Sequence, residues 1–362
     1  MKFFKKYYLV LPPAALIYGI YVLNMKYPKD GFPQMMMDSL VNGWYGIWIL
    51  FAVLAAGIIY QLQNNKKQEY IYSLPWTKQE IYKKSMTGLQ ISLIIAEIIY
   101  GICFTAKVAT IPDIDPMNYI ILCTLVNAFF CFVLCGIVQV MLTVTSYIWQ
   151  GLILTILFVF WIIPMIAQNI AFLMQVVFKF GKTANIIVEW SVYSQERSMF
   201  YPLRYASEVL VSFFGGTEKI WMKQYPYVAV VCIAALLIAG LICFWYAKRK
   251  YITQDLSQNR MLTRLSIIEN RIIMTIITGI FCFNSVSNQV VQKVDMESPE
   301  GTWISGVWNI VFNQKALELD ETNIQKINGG HMLLYFVMIF VICYLAVTLI
   351  QTIRRKQYER DY

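Results

Sequence analysis

The chain has 362 residues, of which 58% are hydrophobic and only 14% are charged. Soluble domains carry about 25% charged residues, so a soluble fold of this length could not bury so much apolar surface, and the sequence predicts an all-α polytopic membrane protein. The net charge of +9 fits lysine and arginine gathered on cytoplasmic loops. Since these residues form no dense run, we expect no nucleic-acid partner.

Apolar stretches of about 20 residues, the length that crosses the hydrocarbon layer of a bilayer, recur along the chain. The first follows a basic start and has no small-residue cleavage site before Lys26, so we interpret it as an uncleaved span. The fifth is too long for one straight crossing, and we expect a kink at Pro164. The predicted spans, about eight in all, cover residues 7–23, 43–62, 88–107, 118–145, 148–178, 226–247, 272–291 and 331–353.

Basic residues next to the predicted spans indicate the orientation of the chain. Residues 5–6, 248–250 and 354–356 are such clusters, and they place the N-terminus in the cytoplasm. An even number of spans then puts both termini there. The longer outside segments, 179–225 and 292–330, are expected to form short extracellular helical caps, the first of them lying on or dipping into the outer leaflet.

The loop between the second and third predicted spans contains a helix-start signal. Thr77 followed by Glu80 fits a capping box, in which Thr77 caps the helix and Glu80 reaches back to the Thr77 N–H. Trp76 and Ile81 occupy the positions of a hydrophobic staple around that box. We therefore expect a short helix that begins at Lys78 and continues toward the third span.

Two interpretations of this helix stay open. It could be the well-capped cytoplasmic end of a span, or it could be a docking helix for a cytosolic protein. In the second interpretation, apolar anchors would be surrounded by lysines. The anchors would be Trp76, Ile81 and Tyr82, and the lysines Lys78, Lys83 and Lys84.

Three stretches resemble a known family. Residues 73–81 read Ser-Leu-Pro-Trp-Thr-Lys-Gln-Glu-Ile. This stretch is similar to the loop between spans two and three of ABC-2-type ABC transporter permeases, which forms the coupling helix on the ATPase subunit. Residues 201–205, Tyr-Pro-Leu-Arg-Tyr, are similar to the stretch before that family's last span, and residues 243–250 resemble the basic exit of that span. The two further spans after residue 250 resemble an addition in some Gram-positive cell-envelope antibiotic-response permeases.

The resemblance implies a domain organisation. Residues 1–250 would form a six-helix membrane core, with the coupling helix at about 73–87 and extracellular or re-entrant helices at about 179–225. Residues 251–362 would form an appended helix pair that carries the extracellular loop 292–330.

The resemblance also implies a function and its partners. The chain would be the permease subunit of an ATP-driven exporter in a bacterial plasma membrane, moving an amphipathic peptide, an antibiotic or a lipid-like substrate. Its partners would be cytosolic ABC ATPase subunits that bind ATP and Mg, a second permease of the same or a homologous chain, and membrane lipid. The residues that would dock the ATPase are Leu74, Pro75, Trp76, Thr77, Lys78, Glu80, Ile81, Tyr82, Lys83 and Lys84.

Common catalytic motifs are missing from the sequence. It contains no GxxxxGK[ST], GxSxG or HExxH motif and a single histidine, His331. We therefore expect neither ATP hydrolysis by this chain nor a bound cofactor or metal. The eight cysteines all fall in predicted spans without a CxxC spacing, and we interpret them as small buried thiols.

Polar residues within or near predicted spans are the remaining functional candidates, because a buried acid in a membrane is expensive. Glu97 lies about 15 Å along the helix from Lys107, which is too far for a direct ion pair. We expect the polar residues either to join helices or to line a translocation path. They are Glu97, Asn127, Gln139, Gln168 and Asn169.

Two other classes of function stay open. A secondary transporter or channel would favour inverted repeats, broken helices and charges at the bilayer midplane, and only the expected kink and Glu97 point that way. A non-transporting membrane partner of a signalling or resistance system would need no translocation path.

Overall fold

A computed structural model describes residues 6–25, 33–63, 75–110, 117–163, 165–166, 169, 226–253, 265, 267–295 and 329–360. These residues are predominantly helical. The α-helices are α1 (Leu11–Asn24), α2 (Pro33–Gln63), α3 (Lys78–Tyr82), α4 (Gly88–Val108), α5 (Met117–Val144), α6 (Ile148–Leu157), α7 (Pro226–Thr253), α8 (Ile267–Asp295) and α9 (Gly329–Arg360). Two short segments, Lys83–Thr87 and Phe158–Ile162, are π-helical.

Four helices in the described ranges are long and apolar enough to cross a membrane. Two shorter apolar helices, Ile148–Phe160 and Phe336–Leu349, accompany them. Several helices of this length and composition are typical of a multi-pass membrane protein, so the predicted helical membrane class is confirmed. The count of about eight spans and the orientation stay predictions. The four long helices are Lys6–Asn24, Gly43–Leu62, Lys78–Val108 and Thr124–Val144.

The chain divides into two compact units, Met1–Leu157 with Tyr201–Arg264, and Phe158–Phe200 with Leu265–Tyr362. In the first unit, α1 packs along α4, α7 packs along α5, and α2 contacts both α4 and α5. In the second unit, α8 packs against α9. The predicted division of the chain near residue 250 stays a prediction.

The core of the first unit is aromatic. Trp44 of α2 and Tyr100 of α4 are fully buried, and their rings meet edge to face with centroids 4.9 Å apart. The two faces of α4 differ in the way expected of a helix that packs on one side and meets lipid on the other. The buried face carries Leu89, Leu93, Ala96, Tyr100 and Phe104, whereas the exposed face carries Ile91, Ile94, Ile95, Ile98 and Ile102.

Helices α5 and α7 approach each other closely through glycine. A Cβ atom added at Gly240 of α7 would collide with the ring of Phe132 in α5, and one added at Gly136 of α5 would lie 2.8 Å from Cys243 Cβ in α7. Small residues at helix contacts allow such close approach in membranes. The structure thus makes α5 and α7 a tightly packed pair, with Gly136 in a packing role.

The fifth predicted span begins as α6 and changes its hydrogen bonding at Phe158–Ile162. Pro164 follows this π-helical segment in the sequence and has no N–H to donate to a preceding carbonyl, which gives a physical reason for a break in the α-helical pattern here. Pro164 itself lies outside the described residues, so the predicted kink is untested. The predicted caps at 179–225 and 292–330 also lie outside them.

Candidate functional site

Helix α3 begins where the sequence predicts. Thr77 is extended, with φ −69° and ψ 154°, and its hydroxyl oxygen accepts a hydrogen bond from the Glu80 N–H at 3.3 Å. Glu80 Oε2 in turn accepts a hydrogen bond from the Thr77 N–H at 2.8 Å. Both halves of the capping box are therefore present, and the predicted helix start at Lys78 is confirmed.

The outward face of the α3 region is polar and basic, with one aromatic ring. Trp76 is partly exposed, and Lys84 Nζ lies 3.8 Å from the centroid of its ring. This cation–π contact holds the indole beside the start of α3. The exposed side chains around it are Pro75, Thr77, Gln79, Glu80, Lys83 and Lys84, with Lys78 partly exposed.

Two predicted docking residues instead face the inside of the first unit. Ile81 is 0% exposed and Tyr82 is 2% exposed, so their predicted role as anchors for a partner does not fit their burial. They join α3 to the chain's own helices. Leu74, another predicted docking residue, lies outside the described residues.

Tyr82 is the centre of a buried polar junction between three helices. Gln139 Nε2 of α5 donates a hydrogen bond to the Tyr82 hydroxyl at 2.6 Å. Gln90 Nε2 of α4 donates to Gln139 Oε1 at 3.0 Å and, more weakly, to the Tyr82 hydroxyl at 3.4 Å. The centroid of the Tyr82 ring lies 5.5 Å from the centroid of the Tyr251 ring in α7. We call Tyr82, Gln90 and Gln139 the polar junction.

The π-helical segment after α3 is stabilised by side chains that bond to nearby carbonyls. Ser85 Oγ donates to the Ile81 carbonyl at 2.7 Å, and the Tyr8 hydroxyl donates to the Lys84 carbonyl. Ser92 Oγ of α4 donates to the Tyr8 carbonyl. The segment before α1 is thus bonded to the π-helical segment and to the start of α4.

Glu97 is buried between α4 and α5. Its carboxyl group lies beside the Cys131 thiol, and its Oε1 has no hydrogen-bond partner in the described part of the chain. Lys107 points elsewhere, because its Nζ donates to the Leu23 carbonyl at 3.2 Å and to the Met25 carbonyl. Lys107 therefore caps the carbonyl end of α1, and the expectation that it does not pair with Glu97 is confirmed.

The other polar candidates do not gather into one group. Gln139 lies in the polar junction, about 18 Å along α5 from the buried Asn127. Asn169 belongs to the second unit, where its Nδ2 donates to the Ile280 carbonyl at 3.0 Å. Gln168 lies outside the described residues. Gln139 thus bonds α5 to α3 and α4, and Asn169 bonds to α8. A role in translocation stays a prediction.

Three contributors to this region were not predicted from the sequence. They are Tyr8, Gln90 and Tyr251. Gln90 of α4 and Tyr251 of α7 contact Tyr82 at the end of α3, and Tyr8 bonds to the π-helical segment that follows. A glutamine within the first turn of the predicted span 88–107 was a usable signal for Gln90. No local pattern marks Tyr8 or Tyr251.

Within the described residues, no group of three or more histidine, cysteine, aspartate or glutamate side chains could hold a metal ion. Comparisons with protein-family models, with curated proteins and with solved structures gave no match. Any functional assignment therefore depends on the sequence motifs and on the geometry of α3 and its surroundings.

Proposed function

We propose that this chain is the membrane-spanning permease subunit of an ATP-driven ABC exporter. Helix α3 is its coupling helix and binds a separate cytosolic ATPase subunit, which holds the ATP and Mg. The observation that carries the proposal is the capped helix α3 with two opposite faces. Its outer face is polar and basic around Trp76, and its inner face is tied into the membrane helices through Tyr82.

The proposed docking surface consists of the outward-facing residues alone. Trp76 offers a partly exposed aromatic ring of the kind that anchors interfaces, and Lys78, Lys83 and Lys84 give the surrounding surface a positive charge. A matching site on the ATPase would be an apolar pocket with an acidic rim, because complementary charge speeds association and fixes orientation. Pro75, Thr77 and Glu80 shape and cap the helix.

The proposal includes a membrane arrangement. About eight spans cross a bacterial plasma membrane, with both ends of this sequence on the cytoplasmic side. Residues 1–250 form the ABC-2-like core, and 251–362 add the last helix pair. A second permease completes the translocation path, and the cargo is an amphipathic peptide, an antibiotic or a lipid-like molecule. This chain itself hydrolyses no ATP.

One observation favours a second candidate function, a secondary transporter. Glu97 is buried in the bilayer-length helix α4, and its Oε1 lacks a hydrogen-bond partner among the described residues. Buried acids of this kind mark ion and proton pathways in transporters. Such a protein would work without an ATPase.

The docking surface is tested by a variant that leaves the inner face of α3 unchanged. Trp76→Ala combined with Lys83→Glu removes the aromatic ring and reverses one exposed charge. We expect a loss of at least about 2 kcal/mol in ATPase binding, the size typical of a central aromatic anchor, which corresponds to a roughly thirty-fold weaker complex. The measurement is the amount of ATPase that co-purifies with the tagged full-length chain.

Trp149→Ala is the matched control for this variant. Trp149 is 77% exposed on α6, away from α3 in the sequence, and its loss should leave the ATPase ratio unchanged. Wild-type amounts of ATPase on the double variant would contradict the docking role of α3.

A further inference from the structure

The last residue of α3, Tyr82, makes a shorter side-chain hydrogen bond to α5 than to α4, although α4 follows α3 in the chain. The Tyr82 hydroxyl is 2.6 Å from Gln139 Nε2 in α5 but 3.4 Å from Gln90 Nε2 in α4. Between α3 and α4 lies the π-helical segment Lys83–Thr87, and such segments are frequent at functional positions in helices. The stronger polar link of Tyr82 therefore runs sideways to α5.

The ring of Tyr82 reaches a second helix at the same point. It lies against the Tyr251 ring near the end of α7. Tyr82 and Gln139 are both almost completely buried, so water cannot take over the contacts between them. The hydroxyl of one side chain thus holds α5, while its ring packs on α7.

The two helices that Tyr82 contacts are locked to each other. Gly136 and Gly240 let α5 and α7 approach so closely that added Cβ atoms would collide with the opposite helix. The Phe132 and Phe244 rings fill the same contact with centroids 4.8 Å apart. Tightly packed elements of this kind move as whole bodies because they do not deform continuously.

We infer that Tyr82 is a positioning residue through which displacement of α3 moves α5 and α7 together, with the segment Lys83–Thr87 as the pivot toward α4. This inference rests on the proposed function, since the bound ATPase supplies the displacement. The Tyr82–Gln139 hydrogen bond is the link that carries the movement into the membrane. Helices α1 and α4 pack on each other, and α5 and α7 move relative to them.

The test uses the full-length chain with its co-purified ATPase in lipid nanodiscs. Spin labels carried by noncanonical amino acids at Ile20 of α1 and Ile242 of α7, both exposed, leave the native cysteines in place. The distance between the labels is measured without nucleotide and with ATP trapped by vanadate. Tyr82→Phe removes only the hydroxyl, and Tyr60→Phe makes the same change at a side chain that is 55% exposed.

We expect the wild-type complex and Tyr60→Phe to show a nucleotide-dependent change in label distance. Tyr82→Phe should keep the wild-type ratio of bound ATPase and lose that change. A purely structural role for Tyr82 would lower the melting temperature of the complex and leave the change in distance intact, which would overturn the inference. A wild-type complex with bound ATPase and no change in distance would overturn it as well, and in both cases the proposed function would stand.

Failure of the proposed function gives a different result. If no ATPase accompanies the folded wild-type chain, the proposed function and the inference fall together. If Tyr82→Phe elutes as an aggregate, Gln139→Met removes the same hydrogen bond from the α5 side, together with the bond that Gln139 accepts from Gln90. The same outcomes then support or overturn the inference.

Discussion

At the residue scale, Glu97 stands out because it is an acidic side chain buried in an apolar helix. It lies in a bilayer-length helix beside the Cys131 thiol, with one carboxyl oxygen that has no hydrogen-bond partner in the described ranges. An unpaired carboxylate is expensive in such a place. In the proposed exporter, Glu97 makes a polar contact between α4 and α5, and chemistry at its carboxyl group is not required.

Replacing Glu97 with glutamine tests this role. Glu97→Gln keeps the shape and one polar contact, so we expect the stability of the purified chain to change by only about 0.6 kcal/mol, the average for a hydrogen bond between membrane helices. ATPase binding and ATP-dependent transport should be retained. Complete loss of transport in an intact, ATPase-bound complex would instead assign Glu97 to the translocation path.

The side chains of α3 show which residue-level features a sequence can predict. The capping box could be predicted because Thr77 and Glu80 are three residues apart and need no other part of the fold. The burial of Tyr82 could not be predicted in this way, because its partner Gln139 is 57 residues away. An apolar or aromatic residue on a short helix at the end of a span can equally face a partner or the chain's own core.

At the element scale, the pairing of α5 with α7 is the contact on which the proposed movement depends. Gly240 allows the ring of Phe132 to lie against the α7 backbone. Cys243 and Phe244 of α7 also lie at this contact, beside Gly136. Loss of this close approach would separate the two helices that Tyr82 contacts.

Gly240→Ala is expected to destabilise the chain, because the added Cβ would collide with Phe132. Overpacking of this kind costs about 1–3 kcal/mol. The measurement is the melting temperature of the purified chain in detergent. Gly46→Ala is the matched control, since a Cβ there would meet nothing within 4 Å, and it should not lower the melting temperature. If Gly240→Ala lowered the melting temperature no more than Gly46→Ala does, this contact would not hold α5 and α7 together.

Helix α3 and the segment after it differ in how far they could be predicted. The start of α3 is encoded locally in residues 77–80. The π-helical turn at Lys83–Thr87 depends on Ser85 and on Tyr8, whose hydroxyl bonds to the Lys84 carbonyl. Tyr8 precedes α1, so it reaches the Lys84 carbonyl only when α1 is packed against α4. This stabilisation could therefore not be predicted from the local sequence.

At the scale of the whole molecule, composition alone was enough to predict a helical membrane protein. Apolar side chains that a soluble core could not hold must face lipid, and the described helices meet this expectation. The number of crossings is harder to predict, because length cannot distinguish one long bent span from two elements. The stretch 148–178 shows the difficulty, since α6 gives way to a π-helical segment within it.

The division into two units was also not visible in the sequence. Residues Phe158–Phe200 group with the C-terminal part of the chain, although they lie in the middle of the predicted six-helix core. No linker composition marks these boundaries. Packing between helices that are distant in sequence decides such a division, and hydropathy carries no information about that packing.

The proposed coupling of α3 to an ATPase is tested by purifying the tagged full-length chain in mild detergent. We predict a cytosolic protein with a P-loop at a fixed stoichiometric ratio to the chain, ATP hydrolysis by the purified complex, and loss of both with Trp76→Ala/Lys83→Glu. The chain would be expressed in its own cells, where those ATPases are present. If it then purified folded and monodisperse but without an ATPase, the proposed coupling would be contradicted.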